Sequence, residues 1–294
     1  TNRLFLMFAV NKIVHFIGED YTAYLGTCLG TNGWVLAIML ASGDPRINVF
    51  NMGIARGIIM VLISYLLLRS YDMKMDFKKD FLSLNVRNGI MVLHGLVMTG
   101  SVFVLELPVV YTIFNSGPVF VFVIDYIMFK TSVSRKQLAG ITTCCIGITL
   151  SINSHLIYLW LGIHEDLHTS FHYVDSSVTA KLIVACFLLF TTMVWGYGCV
   201  MSKNFKEANV VHTNLHLGIM LLMFNSLGLI LVPSPGEITF SVQAELLLKV
   251  GVLVGVSSWL CNASLFLSKK TGNISLMGFS NVLTSYGISI RSYG

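Results

Sequence analysis

Charged residues are scarce in this sequence. Only 11% of the 294 residues are Asp, Glu, Lys or Arg, against about 25% in an average soluble domain. Hydrophobic residues make up 55% of the chain, and the mean hydropathy is +0.76. This balance excludes an ordinary soluble enzyme or binding domain, and it predicts a polytopic membrane protein whose main partner is the lipid bilayer.

Paired cysteines and dense basic clusters are also missing. The six cysteines all lie inside apolar runs and form no C-x-x-C motif, so they predict buried thiols without a disulfide framework. The net charge of +5 comes from basic residues in short loops between apolar runs, where such residues set membrane topology. We therefore expect no nucleic-acid partner and no cofactor.

Long apolar runs dominate what is present. Residues 1–20 are apolar but interrupted by Asn11, Lys12 and His15, which favours an interfacial amino-terminal helix. Nine spanning helices are predicted after it, at 21–41, 49–69, 88–107, 108–129, 137–154, 180–201, 213–232, 246–267 and 274–290. The third and fourth are separated by a link so short that only a tight hairpin fits.

Lys and Arg divide unevenly between the two sides of these spans. Fourteen of the 19, including Arg87, fall on the side of the amino terminus, four fall on the other side, and Arg56 lies inside a span. The positive-inside rule then places the amino terminus in the cytosol, or in the matrix or stroma of an organelle.

The run 108–129 carries the most informative pattern. Tyr111, Asn115, Pro118 and Asp125 follow one another at spacings of four, three and seven residues, which puts them on one face of a continuous helix. An amide and a carboxylate are costly against acyl chains, so this face predicts a solute path. The alternative is that Asn115 and Asp125 only hold helices together, with Asp125 reaching the interface near Lys130.

Three other side chains are candidates for the same path. Arg56 is the one cation predicted deep in a span, and it would contact an anionic or carboxylate-bearing metabolite or, as the slightly favoured alternative, bond structural carbonyls. His94 would relay protons with Asp125 or simply pack. Trp195 would line a cavity or fill the bundle, and filling is favoured.

A weak internal repeat pairs residues 95–119 with residues 255–282. Both copies read as a long apolar run, a short polar hinge and a second run with a polar or helix-breaking residue in its middle. If each repeat holds five spans, the second repeat is inverted relative to the first, an arrangement in which transporters build a site at the midplane.

Three stretches resemble the drug/metabolite transporter superfamily, in its EamA-like and solute carrier family 35 branches. They are the Ala55-Arg56-Gly57 step, the run SGPVFVFVIDYIMF and the following SRKQLAGITTCCIGITLSI. The resemblance implies an all-α bundle of two inverted five-helix repeats around a central cavity that opens alternately to each side. The first repeat would cover 21–155, a non-cytosolic loop 156–179, and an incomplete second repeat, whose tenth helix is missing or truncated, 180–294.

On this basis we expect a transporter of a small polar or anionic metabolite and no enzyme. The predicted substrate-binding residues are Asp125, Asn115, Tyr111 and Arg56 from the first repeat and Asn262, Asn281 and Ser285 from the second. The sequence departs from the family pattern at Lys130-Thr131, where many members have Glu, and at Asn281, where many have Pro. These departures suit an alternative, a non-transporting structural subunit of a larger membrane complex; a homodimer also stays open.

A rival chemistry lies in the 156–179 loop. His164, Glu165 and His168 form a literal H-E-x-x-H motif, and His172 follows four residues later. On a helix these histidines could hold zinc, with Glu165 as a base in a membrane metallohydrolase. The motif lies in a loop and lacks the extended metzincin pattern, so a polar surface loop without metal is favoured.

Overall fold

The computed structural model describes residues 33, 49–71, 78–105, 107–130, 142, 146, 177–231, 244–245 and 247–271. Within these ranges the chain is helical and has no strand, which confirms the predicted all-α class. The α-helices are α1 (Val49–Ser70), α2 (Phe81–Ser101), α3 (Leu107–Asn115), α4 (Gly117–Phe129), α5 (Val178–Met201), α6 (Val210–Leu231) and α7 (Val252–Thr271). Short 3-10 turns cover Lys78–Asp80 and Ser202–Asn204, and a π-helical turn covers Leu247–Gly251.

Within the described parts of the chain, five helical segments are long and apolar enough to cross a membrane. They are Val49–Ser70, Lys78–Ser101, Val109–Phe129, Thr179–Asn204 and Val210–Leu231, and a shorter apolar helix covers Val252–Ala263. Large apolar side chains stand exposed on their outer faces, for example Leu62, Leu182 and Ile230. Such faces are typical of lipid contact and fit a membrane protein. The predicted spans 21–41, 137–154 and 274–290 lie outside the described residues, apart from three isolated positions.

Helix α2 differs from the predicted span 88–107. It begins seven residues earlier, at Phe81, and ends six residues earlier, at Ser101. Its buried face includes Leu84, Arg87 and Asn88, at helical spacing. The prediction that Arg87 lies outside the spans, on the side of the amino terminus, is therefore wrong, because the helix continues through this charged residue.

The predicted continuous helix 108–129 is interrupted at Ser116, which separates α3 from α4. The backbone N–H and the hydroxyl of Ser116 both donate to the Ile113 carbonyl, at 3.1 and 2.6 Å, and the Val119 N–H donates to the Ser116 carbonyl at 3.0 Å. These are the tighter i to i+3 bonds of a 3-10 turn. Pro118 supplies no N–H of its own, so the α-helical ladder cannot pass through it.

Helix α6 packs most extensively against α1. A Cβ atom on Gly218 would lie 3.0 Å from the Val61 backbone nitrogen and 3.1 Å from the Gly57 carbonyl oxygen, so only glycine fits without a backbone shift. Because Gly57 follows Arg56, this contact fixes the backbone that carries the arginine. Helix α5 packs on α2 and α4, and α7 packs on α1, which completes the wall around the candidate site.

Candidate functional site

A cavity lies where α1, α2, α3, α5 and α7 meet, and we call it the large cavity. Its empty space, counting the part that is open to solvent, is about 620 Å³. Its lining consists of Arg56, Met91, His94, Gly95, Met98, Phe114, Trp195, Ser258, Cys261 and Asn262. Three predicted site residues, Arg56, His94 and Asn262, are thus brought together.

Arg56 supplies the positive charge of this cavity. It is the eighth residue of the 22-residue α1, about 10 Å from the nearer helix end. Its Nε atom is buried without a hydrogen-bond partner among the described residues, and the described lining holds no carboxylate. A Cβ on Gly95 would lie 3.1 Å from Nη1, so Gly95 leaves room for the guanidinium. A buried cation at this depth is costly unless it is paired, which makes Arg56 a candidate for binding an anion.

Two further buried polar atoms point to the same conclusion. Within the described chain, His94 Nε2 and Ser258 Oγ have no hydrogen-bond partner, although each residue is only 4% exposed. The Thr191 hydroxyl donates to the Leu188 carbonyl at 3.0 Å, so its oxygen accepts from His94 Nδ1–H at 3.5 Å. That tautomer leaves a lone pair on Nε2 as an acceptor for a bound solute.

Three rings form an aromatic wall of the large cavity. The His94 ring stacks on Phe114, with centroids 5.7 Å apart and planes 17° apart, and it lies 5.8 Å from the Trp195 ring. Phe114 and Trp195 are themselves 5.7 Å apart. The sequence predicts that Trp195 either lines a cavity or fills the bundle. Its ring does both, because it lines the large cavity and also belongs to a buried apolar cluster.

A second buried cation borders the site through Asn262. Arg87, only 1% exposed, donates from Nη2 to Asn262 Oδ1 at 3.0 Å and from Nη1 to Asn88 Oδ1 at 2.7 Å. Asn88 in turn donates to the Thr213 carbonyl at 3.2 Å. The prediction that Arg56 is the one deep cation is therefore wrong. The two arginines differ in kind, because Arg87 is held by amides that tie α2 to α6 and α7.

A smaller cavity, with about 300 Å³ of empty space counting the part open to solvent, adjoins the large one and shares Arg56 and Gly95 with it. Its remaining lining is Val49, Met52, Gly53, Leu96, Thr99, Leu221, Asn225 and Val254. Helices α1 and α7 run side by side in the same direction, since Gly255 contacts Ile59 and Trp259 Nε1 donates to Ser64 Oγ at 3.2 Å. On both helices the small-cavity residues precede those of the large cavity, so the two cavities follow one another along the bundle and meet at Arg56.

At one end of the bundle, charged groups form hydrogen bonds and ion pairs with one another and with the backbone, unlike Arg56 in the large cavity. We call this region the charged end. The Asp80 carboxylate, on a residue 3% exposed, accepts the backbone N–H groups of Lys206, Glu207 and Ala208 at 2.6 to 3.0 Å. Lys203 Nζ contacts both Asp125 oxygens, at 2.6 and 2.7 Å. Lys79 Nζ also pairs with a Glu207 oxygen at 2.5 Å.

The remaining predicted site residues fall in several places. Asp125 binds Lys203 at the charged end, and Tyr111 is buried in an apolar cluster; neither is part of the described lining of either cavity. Asn115 is the last residue of α3. Asn281, Ser285 and the loop residues His164, Glu165, His168 and His172 lie outside the described residues. Among the residues that are described, no group of three side chains could hold a metal ion.

The sequence reasoning missed Ser258, Phe114 and the two methionines as lining residues. Ser258 belongs to a stripe of small residues at helical spacing, Gly251, Gly255, Ser258 and Asn262, a pattern that by itself indicates close helix packing. The stripe contained the signal, because Ser258 and Asn262 are one helical turn apart and share a face with the cavity.

No protein-family model matches the sequence, and no curated protein matches it. The resemblance to the drug/metabolite transporter superfamily consequently stays a prediction from the motifs.

Proposed function

We propose that this protein is a membrane transporter that moves a small anionic or polar metabolite by alternating access, without covalent catalysis. The observation that carries the proposal is the position of Arg56, at the junction of two cavities that follow one another along the bundle. A solute path across a membrane needs space toward both ends and a binding group between them.

The contrast between the two buried arginines supports a ligand at Arg56. Arg87 meets amide oxygens of Asn88 and Asn262, as expected of a structural arginine. Among the described residues Nε lacks a partner in both arginines, but the two terminal nitrogens of Arg87 are bonded to amides. Buried atoms without a partner also occur elsewhere in the described chain, for example Tyr111 Oη and Asn214 Oδ1, whereas Arg56 Nε, His94 Nε2 and Ser258 Oγ share one cavity lining, which supports a ligand there.

The finer architecture belongs to the same proposal. We infer nine spans, two inverted repeats, and an amino terminus on the cytosolic, matrix or stromal side. Lining residues from both predicted halves support a site at the repeat interface: Arg56, His94 and Phe114 from one, Trp195, Ser258 and Asn262 from the other. Asn281 and Ser285 are proposed to complete the site from the second half.

Uptake by proteoliposomes that contain the purified chain tests this function. Preloaded liposomes are offered a labelled panel of organic acids, sugars, phosphate esters and amines, and counterflow is measured. We expect one solute class to exchange, and Arg56→Ala to abolish that exchange. Arg69→Ala is the matched control, since Arg69 is exposed in the last turn of the same helix. Equal uptake by the wild type and Arg56→Ala would overturn the proposal.

The variant Asp125→Asn tests whether the solute contacts the large cavity or the polar face that the sequence predicts on residues 108–129. Asp125 lies in an ion pair and not in the described cavity lining, so the variant should keep its transport rate per folded molecule. A selective loss of transport in well-folded Asp125→Asn protein would instead return this carboxylate to the solute path.

A further inference from the structure

We infer that the solute is a hydroxylated or aminated monocarboxylate with an aromatic or apolar body. This inference rests on the proposed transport function, because it identifies the solute of the same cavity. The large cavity combines one free guanidinium with an aromatic wall and two methionines, and this combination favours a ligand with one charged head and an apolar remainder.

The charge of the ligand follows from the arginines. Arg56 is the one charged side chain in the described lining, and Arg87 borders the site only through Asn262, with its terminal nitrogens bonded to neutral amides. The second charge of a dianionic phosphate ester would therefore face no cation within the described lining. A carboxylate matches both the single charge and the planar fork of a guanidinium.

The second polar feature of the ligand follows from His94. Its Nε2 lone pair lies in the cavity lining beside Arg56 and requires a donor, such as a hydroxyl or an amine next to the carboxylate. Ser258 Oγ can donate or accept and therefore suits either the carboxylate or the neighbouring group.

The apolar body follows from the opposite set of lining residues. The Phe114 and Trp195 rings, 5.7 Å apart at 54°, offer faces and edges to an aromatic group. Met91 and Met98 are flexible and polarisable, and they adapt to bodies of different shape. A sugar would leave several hydroxyls unpaired against these surfaces.

Four related compounds test the inference by direct binding. The purified full chain in nanodiscs is titrated with 3-phenyllactate, with 3-phenyllactamide, which lacks the charge, with lactate, which lacks the ring, and with phenyl phosphate. Quenching of tryptophan fluorescence reports binding. Trp195→Phe should remove the signal, whereas Trp259→Phe, which alters a tryptophan bonded to Ser64, should keep it.

We expect 3-phenyllactate to bind at least 10-fold more tightly than each of the other three. Arg56→Gln should weaken it by about 10- to 100-fold, while Arg69→Gln leaves it unchanged. Equal binding of the amide, tighter binding of lactate or phenyl phosphate, or no saturable binding by any compound would overturn the inference. The four-compound series needs no variant, so a misfolded Arg56→Gln protein leaves the test intact.

Counterflow with the same compounds separates this inference from the proposed function. Saturable binding of 3-phenyllactate without any solute exchange would keep the ligand class and remove transport. Arg56-dependent exchange of a sugar phosphate or an amine would keep transport and remove the ligand class.

Discussion

The charged end and the large cavity use ionisable groups in opposite ways. At the charged end, Asp80 accepts three backbone N–H groups and Asp125 binds Lys203 with both oxygens. In the cavity, Arg56 Nε and His94 Nε2 have no partner in the described chain. Satisfied groups hold the bundle together, whereas unsatisfied buried groups lower its stability. Stability measurements should therefore give opposite signs in the two regions.

The largest effect is expected at Asp80. Replacing it by alanine removes a buried carboxylate and leaves the N–H groups of residues 206–208 without their acceptor. Asp80→Ala should lower the free energy of unfolding by about 3 kcal/mol, measured by thermal and denaturant unfolding in detergent. Glu207→Gln changes a neighbouring carboxylate and serves as the control. If Asp80→Ala lowers the free energy of unfolding no more than Glu207→Gln does, the charged end does not stabilise the bundle in the way described.

The next effect should have the opposite sign. Arg56→Met replaces an unpaired buried cation by an apolar side chain of similar length, so the ligand-free protein should become more stable by about 2 kcal/mol. The same unfolding assay measures it, and Arg87→Met is the comparison. Since Arg87 is bonded to Asn88 and Asn262, its loss should destabilise. Destabilisation by both changes would show that Arg56 is structural.

A smaller effect is expected for the ion pair between Asp125 and Lys203, whose side chains are 14% and 20% exposed. A double-mutant cycle with Asp125→Asn and Lys203→Gln should give a coupling free energy of about 1 kcal/mol, because the pair is partly shielded from water. Unfolding of the two single variants and the double variant measures it. If the changes in the free energy of unfolding of the two single variants add up to that of the double variant, the contact contributes nothing to stability.

The smallest effect should come from Lys79 and Glu207. The Lys79 side chain is 73% exposed, so its pair with Glu207 is largely screened. The coupling in a Lys79→Gln, Glu207→Gln cycle should stay below about 0.5 kcal/mol and decline with added salt. A larger coupling free energy that does not change with salt would show that this pair stabilises the protein as the buried contacts of the charged end do.

Helices α1, α5 and α6 could be predicted from the sequence to within three residues at each end. Their runs are predominantly apolar from end to end, even with Arg56 inside α1, and hydropathy measures the local free energy of transfer between water and lipid. Helix α2 could not be bounded in this way because Arg87 is buried through bonds to Asn88 on its own helix and Asn262 on α7. A hydrogen-bond partner on another helix lowers the free-energy cost of a charge inside a span. A hydropathy average over the residues around Arg87 does not include Asn262 and therefore misses this partner.

The candidate site shows the same limit. The depth of Arg56 could be predicted, because it depends only on its position in an apolar run. The role of Asp125 depends on Lys203, 78 residues away in sequence, and that of Asp80 on the backbone of residues more than 120 positions away. Spacing along one helix finds side chains that share a face, but it does not find the groups opposite that face.

The position of Arg56 between two cavities has a kinetic consequence. In the proposed transport cycle, an anion would form its strongest contact at Arg56, where the two cavities adjoin. Tighter capture would then slow release to the far side and limit turnover, as multi-site conduction demands binding weak enough for departure. A single guanidinium with no second cation in the described lining is a moderate attractor, suited to a solute that has to leave again.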